Sequence, residues 1–415
     1  MLRMSVFRRE IPPTNGLPLQ ARDFVGRPHQ SLTQAVQQWL HLPNEPIITC
    51  SGSAALMLAL EVLAHREPER DEVIVPAYTC PIVVLAIARA HCPRPLKIRL
   101  CDLAPESVNM DTAELASVCS ARTLAVLATH LGGRVADVSA IKAVAGPHGA
   151  RVVEDAAQGM GARVGAQSVG LAGDVAFFSL AVGKGLSTYE GGLLFAKDDA
   201  LHERLREHAA RRLNPNLFWT MRRRAELLGY ALLYRPAGLP YVYGRPLRRA
   251  LQAHDEAMAV GDTFDRSCFP VHRMDDFRQR VAANAFERLP AFLDEAYSRA
   301  RSRISMLSTI SGLRVADDTP GVRGVFPFLM VLMPSKARRD RILDRLWTSG
   351  LGVSKLFVHT VPEYACVGPF LPQSELRSYP NARGFADRMF TISNSAWLDD
   401  DAFRLVFDSV QAGLA

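Results

Sequence analysis

Residues 151–192 read RVVEDAAQGMGARVGAQSVGLAGDVAFFSLAVGKGLSTYEGG, and this stretch decides how the chain folds. The run 150–154 is short and apolar, of the kind a buried parallel strand gives. That puts Asp155 at the strand's carboxyl end, where open α/β sheets bind their ligands. The run 174–180 is a second such strand, and it releases the chain into Ala-Val-Gly-Lys-Gly, bringing Lys184 to the same rim. Glycines 183, 185, 191 and 192 in the turn after it permit positive φ and close approach of backbone to a ligand.

An aspartate at a strand end is ordinarily a cap or an ion-pair partner, and a lysine in a turn is ordinarily solvated. Here they occur together, with Gln158 three residues after the acid and Ser179 five residues before the amine. A carboxylate and a desolvated amine meeting over a flat, anionic cofactor is what pyridoxal phosphate requires. The lysine forms the Schiff base, and the aspartate pairs with the protonated pyridine nitrogen and keeps the ring an electron sink.

Two runs carry a family likeness. Glu154-Asp155-Ala156-Ala157-Gln158, and then Phe178-Ser179, Lys184, Leu186-Ser187-Thr188 and Glu190-Gly191-Gly192, resemble the paired motifs of the DegT/StrS sugar aminotransferases. These are fold-type-I pyridoxal-phosphate enzymes that aminate keto-sugars, usually nucleotide-linked. The resemblance extends more loosely from about Ile11 to the C-terminus. It implies that Asp155 meets the ring nitrogen, Gln158 lies near the ring hydroxyl, Ser179 binds phosphate and Lys184 is the catalytic amine. It also implies a large domain whose mostly parallel seven-stranded sheet lies between helices, followed by a smaller α+β domain. A lysine at 184 counts against the family's dehydratase branch, which carries histidine there.

Working outward, Ser31 caps a first helix with Leu32, Val36 and Leu40 on one face. A strand at 46–50 feeds Ser51-Gly52-Ser53-Ala54-Ala55-Leu56 and a helix to about 64, and a small-residue turn at a helix N-terminus seats a phosphate. The resemblance places the cofactor phosphate at this turn, on Gly52, Ser53 and Ala54. Strands follow at 71–76, 96–100 and 124–128, with helices at 81–90, 111–118 and 137–145, the alternation of a mostly parallel sheet. His130 ends the third of these strands, in reach of the rim. Cys80 stands where the family usually has an aromatic residue stacked on the ring. Either the thiol packs there, or Tyr78 supplies the ring, or the pocket is altered, or Cys80 is only a small buried residue.

Beyond Lys197 the pattern changes. Between 203 and 249 eleven arginines face three acids, interleaved with aromatic and aliphatic residues, in a basic insertion spanning about 203–262. Three readings stay open: packing on a dimer or over the active site, contact with an anionic membrane surface through 217–249, and receipt of a substrate diphosphate by Arg222–Arg224. Arg273-Met274 and a long helix over 277–300 resemble the family's link to its small domain, which divides the chain into 1–268 and 269–415. Val271 replaces the asparagine that in many members reaches the neighbouring subunit's phosphate, with His272 beside it, and Arg273 is a substitute anion contact or a helix-start ion pair. Strands at 325–333, 352–357 and 389–393 and helices at 336–347 and 399–410 complete the small domain. The resemblance places Ser354, Lys355 and His359 on the family's substrate-facing loop.

The chain has 415 residues, 48% hydrophobic and 22% charged, an ordinary globular balance with room for a large core. Its formal charge of +7 is concentrated in the insertion, which argues for a local anionic partner and against a nucleic-acid-binding protein. Cysteines 50, 80, 92, 101, 119, 268 and 366 are scattered, without a C-x-x-C pair, like reduced thiols with no metal site. No signal peptide or membrane-spanning run is read, so a cytoplasmic enzyme is expected. The paired motifs point to a pyridoxal-phosphate aminotransferase, and the resemblance implies a homodimer that passes an amino group from L-glutamate to a keto-sugar, nucleotide-linked, for surface polysaccharide or a secondary metabolite. A regulatory, catalytically silent protein of the same fold is the rival.

Overall fold

Runs such as Glu72–Pro76 and Gly192–Ala196 are buried along their whole length. A strand without a solvent face belongs inside a sheet covered on both sides. In the computed structural model, which describes residues 9–264 and 270–414, these two join five other strands in a seven-stranded sheet. Its order is Ile47–Thr49, Gly192–Ala196, Val175–Ser179, Arg151–Asp155, Thr123–Thr129, Glu72–Pro76, Lys97–Cys101. Only Gly192–Ala196 runs against the rest, antiparallel to both of its neighbours. The strands read from the sequence at 46–50, 71–76, 96–100, 124–128, 150–154 and 174–180 all form, each end within one residue of its expected place.

Successive side chains on each strand go to opposite faces, and the cores follow that alternation. Val73, Val75, Val153, Val175 and Phe177 meet the helices Gly52–Arg66 and Pro81–Arg89. Ile74, Val126 and Val152 meet Thr112–Val118 and Val138–Ala145. Ala176, Phe178, Leu193 and Phe195 meet Leu32–Leu40 and Asp276–Phe286.

A second sheet, all antiparallel, orders Arg314–Val315, Phe328–Leu332, Met389–Ser393 and Val353–Ser354. Leu289–Leu307, Lys336–Leu346 and Asp400–Leu414 pack on it through Ile304, Leu343 and Val406. The insertion joins the same core, where the helices Arg245–Gln252 and Glu256–Val260 bury Leu247, Ala250 and Ala259. The expected domain division after 268 lies outside the described residues, as do Cys268 and the first eight residues of the N-terminal arm.

Two expectations need correction. The helix anticipated over 277–300 is two helices, Asp276–Phe286 and Leu289–Leu307. Pro290 sits in the first turn of the second, where its missing N–H costs nothing, whereas in a continuous helix it would remove a hydrogen bond and clash with the preceding turn. The strand expected over 352–357 pairs only at Val353–Ser354. Beyond it the Phe357 N–H and carbonyl bond the Tyr78 hydroxyl, at 3.2 and 3.0 Å, and so leave the ladder.

Glu154, one residue before the end of its strand, ties the central strand to the loop after it. Its buried Oε2 accepts from His130 Nε2 at 3.0 Å and from the Gly170 N–H at 2.7 Å. Its Oε1 accepts from the Ala172 N–H at 2.9 Å and from the Gly173 N–H. Because His130 Nδ1 accepts from the Ala136 N–H at 3.1 Å, the ring proton lies on Nε2, and the imidazole donates to Glu154. Burial opposes the charge of Glu154, but the hydrogen bonds from His130, Gly173 and Gly170 prevail and hold its carboxyl below the ordinary 4.5. Glu154→Gln confronts some of these donors with an amide NH2 and should cost about 2–4 kcal/mol at neutral pH. A depressed native pKa gives stability that is present above the unfolded value and lost as pH falls through the native one. Urea titrations should therefore show the gap between wild type and variant closing as pH drops below 4.5.

Candidate active site

Parallel strands deliver their carboxyl ends to one rim of the sheet, and there the chain encloses a cavity of about 700 Å³. Five strand ends reach it. Ile47–Thr49 leads to Ser51, Gly52 and Ser53, Glu72–Pro76 to Thr79 and Cys80, Thr123–Thr129 to His130, Arg151–Asp155 to Asp155 itself, and Val175–Ser179 to Ser179 and Lys184. Two loops 29 residues apart in sequence thus place Asp155 and Lys184 on one cavity.

Each of the two is desolvated there. Burial raises the Asp155 carboxyl, against the Ala157 N–H, which donates to its Oδ1 at 3.1 Å, and the fields of Lys184 and His130. Burial lowers the Lys184 amine, opposed by Cys80 and Asp155. The Lys184 side chain keeps some accessible surface because it borders the open cavity, while the walls around its amine remove most of the water that would hold the charge.

The turn that carries Lys184 is held from the N-terminal side. Gly183 has φ +81°, and a Cβ there would come within 2.5 Å of Thr14 Oγ1. The Leu17 N–H donates to the Gly185 carbonyl at 2.9 Å, and the Asn15 N–H to Pro327 at 2.7 Å, so the arm runs between the lysine turn and the second sheet. Thr14 and Asn15 line the cavity, a contribution for which no motif in the sequence gave a signal.

Both phosphate candidates lie together. A Cβ on Gly52 would sit 3.2 Å from the Ser179 Cβ, so the helix Gly52–Arg66 starts against the end of the strand that carries Ser179. Ser51 Oγ caps this helix by accepting from the Ala54 N–H at 3.0 Å, which leaves the Gly52 and Ser53 N–H groups at its open end. Ala54 stands at the same end, with its N–H on Ser51 Oγ and its side chain in the core. Gln158 lines the cavity with its Oε1 accepting from the Gly132 N–H at 2.7 Å, so its NH2 is the end left for a ligand. The hydroxyls of Thr79 and Thr129, also on the lining, are buried without a hydrogen-bond partner among the described residues. Buried hydroxyls are ordinarily paired, so an uncommitted pair on a cavity wall marks room for a polar ligand.

Cys80 borders the cavity as a neutral thiol, pushed up to about 12 by burial and the neighbouring Asp262. Tyr78 does not replace the missing aromatic. Its ring is buried edge-on between Phe357 and Phe385, and its hydroxyl donates to the Phe357 carbonyl.

The insertion reaches the cavity with Arg223, Tyr243 and Asp262. Arg223 is paired with Glu190 and Glu226, Arg222 with Glu226, and Arg224 with Asp275. A ready-made diphosphate cradle at 222–224 is therefore not what the geometry gives, because each guanidinium is already neutralised. Asp262 accepts from the Tyr364 hydroxyl at 2.5 Å and the Val358 N–H at 3.3 Å, and burial pushes its carboxyl up to about 6. Neither Tyr243 nor Asp262 had a readable motif around it. Of the substrate-loop candidates, Ser354 and Lys355 line the cavity, with Lys355 Nζ 2.6 Å from Glu256. His359 packs instead edge-on to Tyr364 outside the lining. Arg273 lies on the surface with Asp276, the helix-start ion pair, and His272 stacks on Trp219 with centroids 6.0 Å apart.

The DegT/DnrJ/EryC1/StrS aminotransferase family model matches residues 21–232. The pleiotropic regulatory protein of Geobacillus stearothermophilus is 37% identical over 157 residues, 38% of this chain and 41% of that protein. GDP-perosamine synthase of Caulobacter vibrioides is 36% identical over 171 residues, 41% of this chain and 44% of that protein. The chain thus spans about two fifths of the length of the curated relatives it matches. Among solved structures, the aminotransferase TlmJ from Streptoalloteichus hindustanus superposes with TM-score 0.69 at 22% identity, covering 96% of this chain and 92% of that one. The sugar aminotransferase CalS13 from Micromonospora echinospora does so at 0.68 and 21%, covering 97% and 100%. These likenesses speak to the fold, which is that of the fold-type-I pyridoxal-phosphate enzymes. The match over 21–232, half of the chain, shows that it belongs to the DegT/DnrJ/EryC1/StrS aminotransferase family.

Proposed function

We propose that this protein is a pyridoxal-phosphate-dependent aminotransferase that passes an amino group from an amino acid to a nucleotide-linked keto-sugar. The observation that carries the reading is the shared cavity of Asp155 and Lys184, with Ser179 and the open N-terminus of Gly52–Arg66 on its wall. This donor set fits the cofactor. A carboxylate is available to a ring nitrogen, a hydroxyl and helix N–H groups to a phosphate, an amide NH2 to a ring oxygen and an amine to an aldehyde. Bound there, pyridoxal phosphate supplies an aldehyde that exchanges amino groups and a ring that accepts an electron pair.

The chain's own residues do the rest. Lys184 would hold the cofactor through its aldehyde carbon, and its amine, whose affinity for a proton burial lowers, would carry a proton between the amino donor's Cα and that aldehyde carbon. Asp155 would face the ring nitrogen and favour its protonated form, and the His130–Glu154 pair behind it fixes the strand end from which it projects. The second sheet, in the proposed domain 269–415, closes the cavity with Ser354 and Lys355.

The acceptor class follows from relatives named for GDP-, UDP- and dTDP-linked amino sugars. L-Glutamate is the proposed donor, and L-glutamine, which appears in the names of two relatives, is the comparison to run beside it. The proposed form is a cytoplasmic homodimer. No helix among the described residues is long and apolar enough to cross a membrane. A regulatory reading is favoured by two relatives, named as a pleiotropic regulatory protein and a sensory transduction protein.

Protein reconstituted with pyridoxal phosphate should show a visible absorbance band, and borohydride should fix the cofactor to the peptide containing Lys184. Addition of the amino donor should convert it to the pyridoxamine form. A cofactor-bound protein inert to every amino acid would overturn the enzyme reading in favour of the regulatory one. Lys184→Ala should abolish the borohydride adduct and slow the donor half-reaction by about 10²–10⁴-fold. Asp155→Asn should retain the adduct yet slow the same half-reaction by about 10²-fold or more, because the pyridine nitrogen loses its anionic partner.

A further inference from the structure

Asp262 is a carboxylate that the fold has buried without a cation. It follows the short helix Glu256–Val260 of the insertion, is 5% exposed and lines the cavity. Among the described residues no lysine, arginine or histidine stands within ion-pair distance of it, and only two hydrogen bonds oppose the effect of its burial. Both of these, from the Tyr364 hydroxyl at 2.5 Å and the Val358 N–H at 3.3 Å, go to Oδ2. Its Oδ1 has no hydrogen-bond partner among the described residues, and it is not one of the sealed polar atoms of the interior, so its remaining surface is cavity surface. The other charged side chains on the lining are committed: Glu190 to Arg223, Lys355 to Glu256, and Asp155 and Lys184 to each other's field. Buried charges are ordinarily paired, and an oxygen left open on a cavity wall is a place for a donor from outside the chain.

The carboxylate is fixed in place before a ligand arrives. The Tyr364 oxygen accepts from the Val358 and His359 N–H groups at 3.0 and 3.3 Å, so its own proton is directed to Asp262. The Cys80 thiol feels the fields of Asp262, Lys184 and Asp155, which puts Asp262 on the stretch of wall beside the reacting amine. Its neighbours on the lining are apolar, Val260 and Phe264 from its own segment, Leu356 and Phe357 from the segment that grips it. An apolar wall with one placed polar group is how a pocket fixes the orientation of a ligand.

Charge selects what that ligand group is. An unpaired carboxylate repels anions, and so turns away both the carboxylates of an amino-acid donor and the diphosphate of a nucleotide. The two substrates otherwise offer the donor's amino group, which reacts at the aldehyde, and the hydroxyls of the sugar. We propose that Asp262 is a specificity-determining residue for the acceptor, its Oδ1 accepting a hydrogen bond from a hydroxyl of the keto-sugar ring, with Tyr364 as the residue that positions it. This assignment rests on the aminotransferase reading and adds to it the end of the acceptor that meets the insertion: the sugar ring, with the nucleotide directed away from Asp262.

The two half-reactions, followed separately by absorbance, test the proposal. The pyridoxamine form of the wild type is mixed with GDP-, UDP- and dTDP-linked keto-hexoses, and the one that returns it fastest to the pyridoxal form serves as acceptor. Asp262→Ala should lower kcat/KM for that acceptor by about 10–100-fold, the worth of a hydrogen bond to a charged group, and by at least about 10-fold more than it slows the donor half-reaction. Asp262→Asn still accepts from Tyr364 and presents an NH2 to a hydroxyl that can turn and accept, so it should recover part of the loss. Tyr364→Phe should lower the acceptor half-reaction by about 3–10-fold. Calorimetric titration with the keto-reduced sugar nucleotide, which binds without reacting, should rank the affinities of the four proteins in the same order. Equal losses in both half-reactions, or no loss in either, overturn the proposal and leave the aminotransferase reading standing. An Asn variant weaker than the Ala variant would assign Asp262 to an ammonium on the substrate, and variants that sediment as monomers where the wild type is a dimer would assign it to a cation of the second subunit; each result overturns the hydroxyl contact. A wild type that no keto-sugar returns to the pyridoxal form removes the keto-sugar reading, and this assignment with it.

Discussion

A buried carboxylate and a buried amine on one cavity are the constraint around which this molecule is built. Desolvation drives both Asp155 and Lys184 toward their neutral forms, and each one's field holds part of the other's charge in place. That balance is costly in an ordinary core, where an ion pair barely repays its dehydration. It becomes useful where a protonated ring nitrogen and an aldehyde supply the missing partners. The surrounding architecture serves to bring two chain segments to that arrangement and hold them there.

Holding is done by groups that never touch the cavity's centre. Glu154 gathers four hydrogen bonds and binds His130 to the 170–173 loop, and this fixes the strand end that projects Asp155. The N-terminal arm presses on the lysine turn through Thr14 and Leu17, while its Asn15 reaches the second sheet. The insertion contributes in the same manner, with Asp262 gripping Tyr364 and Val358 and Glu256 gripping Lys355. Three stretches far apart in sequence therefore enclose one volume.

Departures from the family pattern take on a physical meaning in this setting. Cys80 places a neutral thiol at the wall where an aromatic face is usual, and Tyr78, the natural substitute, is committed to Phe357. The wall is consequently roomier and less able to stack a ring. Val271 and His272 pack inward, Val271 against the core and His272 on Trp219, so the local chain is occupied with its own packing.

The sequence by itself determined most strands of the sheet and which of its residues reach the rim. Runs with an apolar centre that are too short for a helix and alternate with helical stretches read as buried strands, and a residue at the end of such a run lies at the carboxyl edge. Asp155, Ser179 and Lys184 were legible for that reason, as were Gly52 and Ser53 at the start of a helix. The break before Pro290 was also written in the chain, though overlooked in a long helical pattern. What only the tertiary structure decided were the contacts made across long separations by residues with no local periodicity. Thr14 on the lysine turn, Asp262 on Tyr364 and the pairing that neutralises Arg222–Arg224 are of this kind. A strand's own burial pattern places it inside a sheet, whereas the partner of a loop side chain is settled only once the whole chain has closed around it.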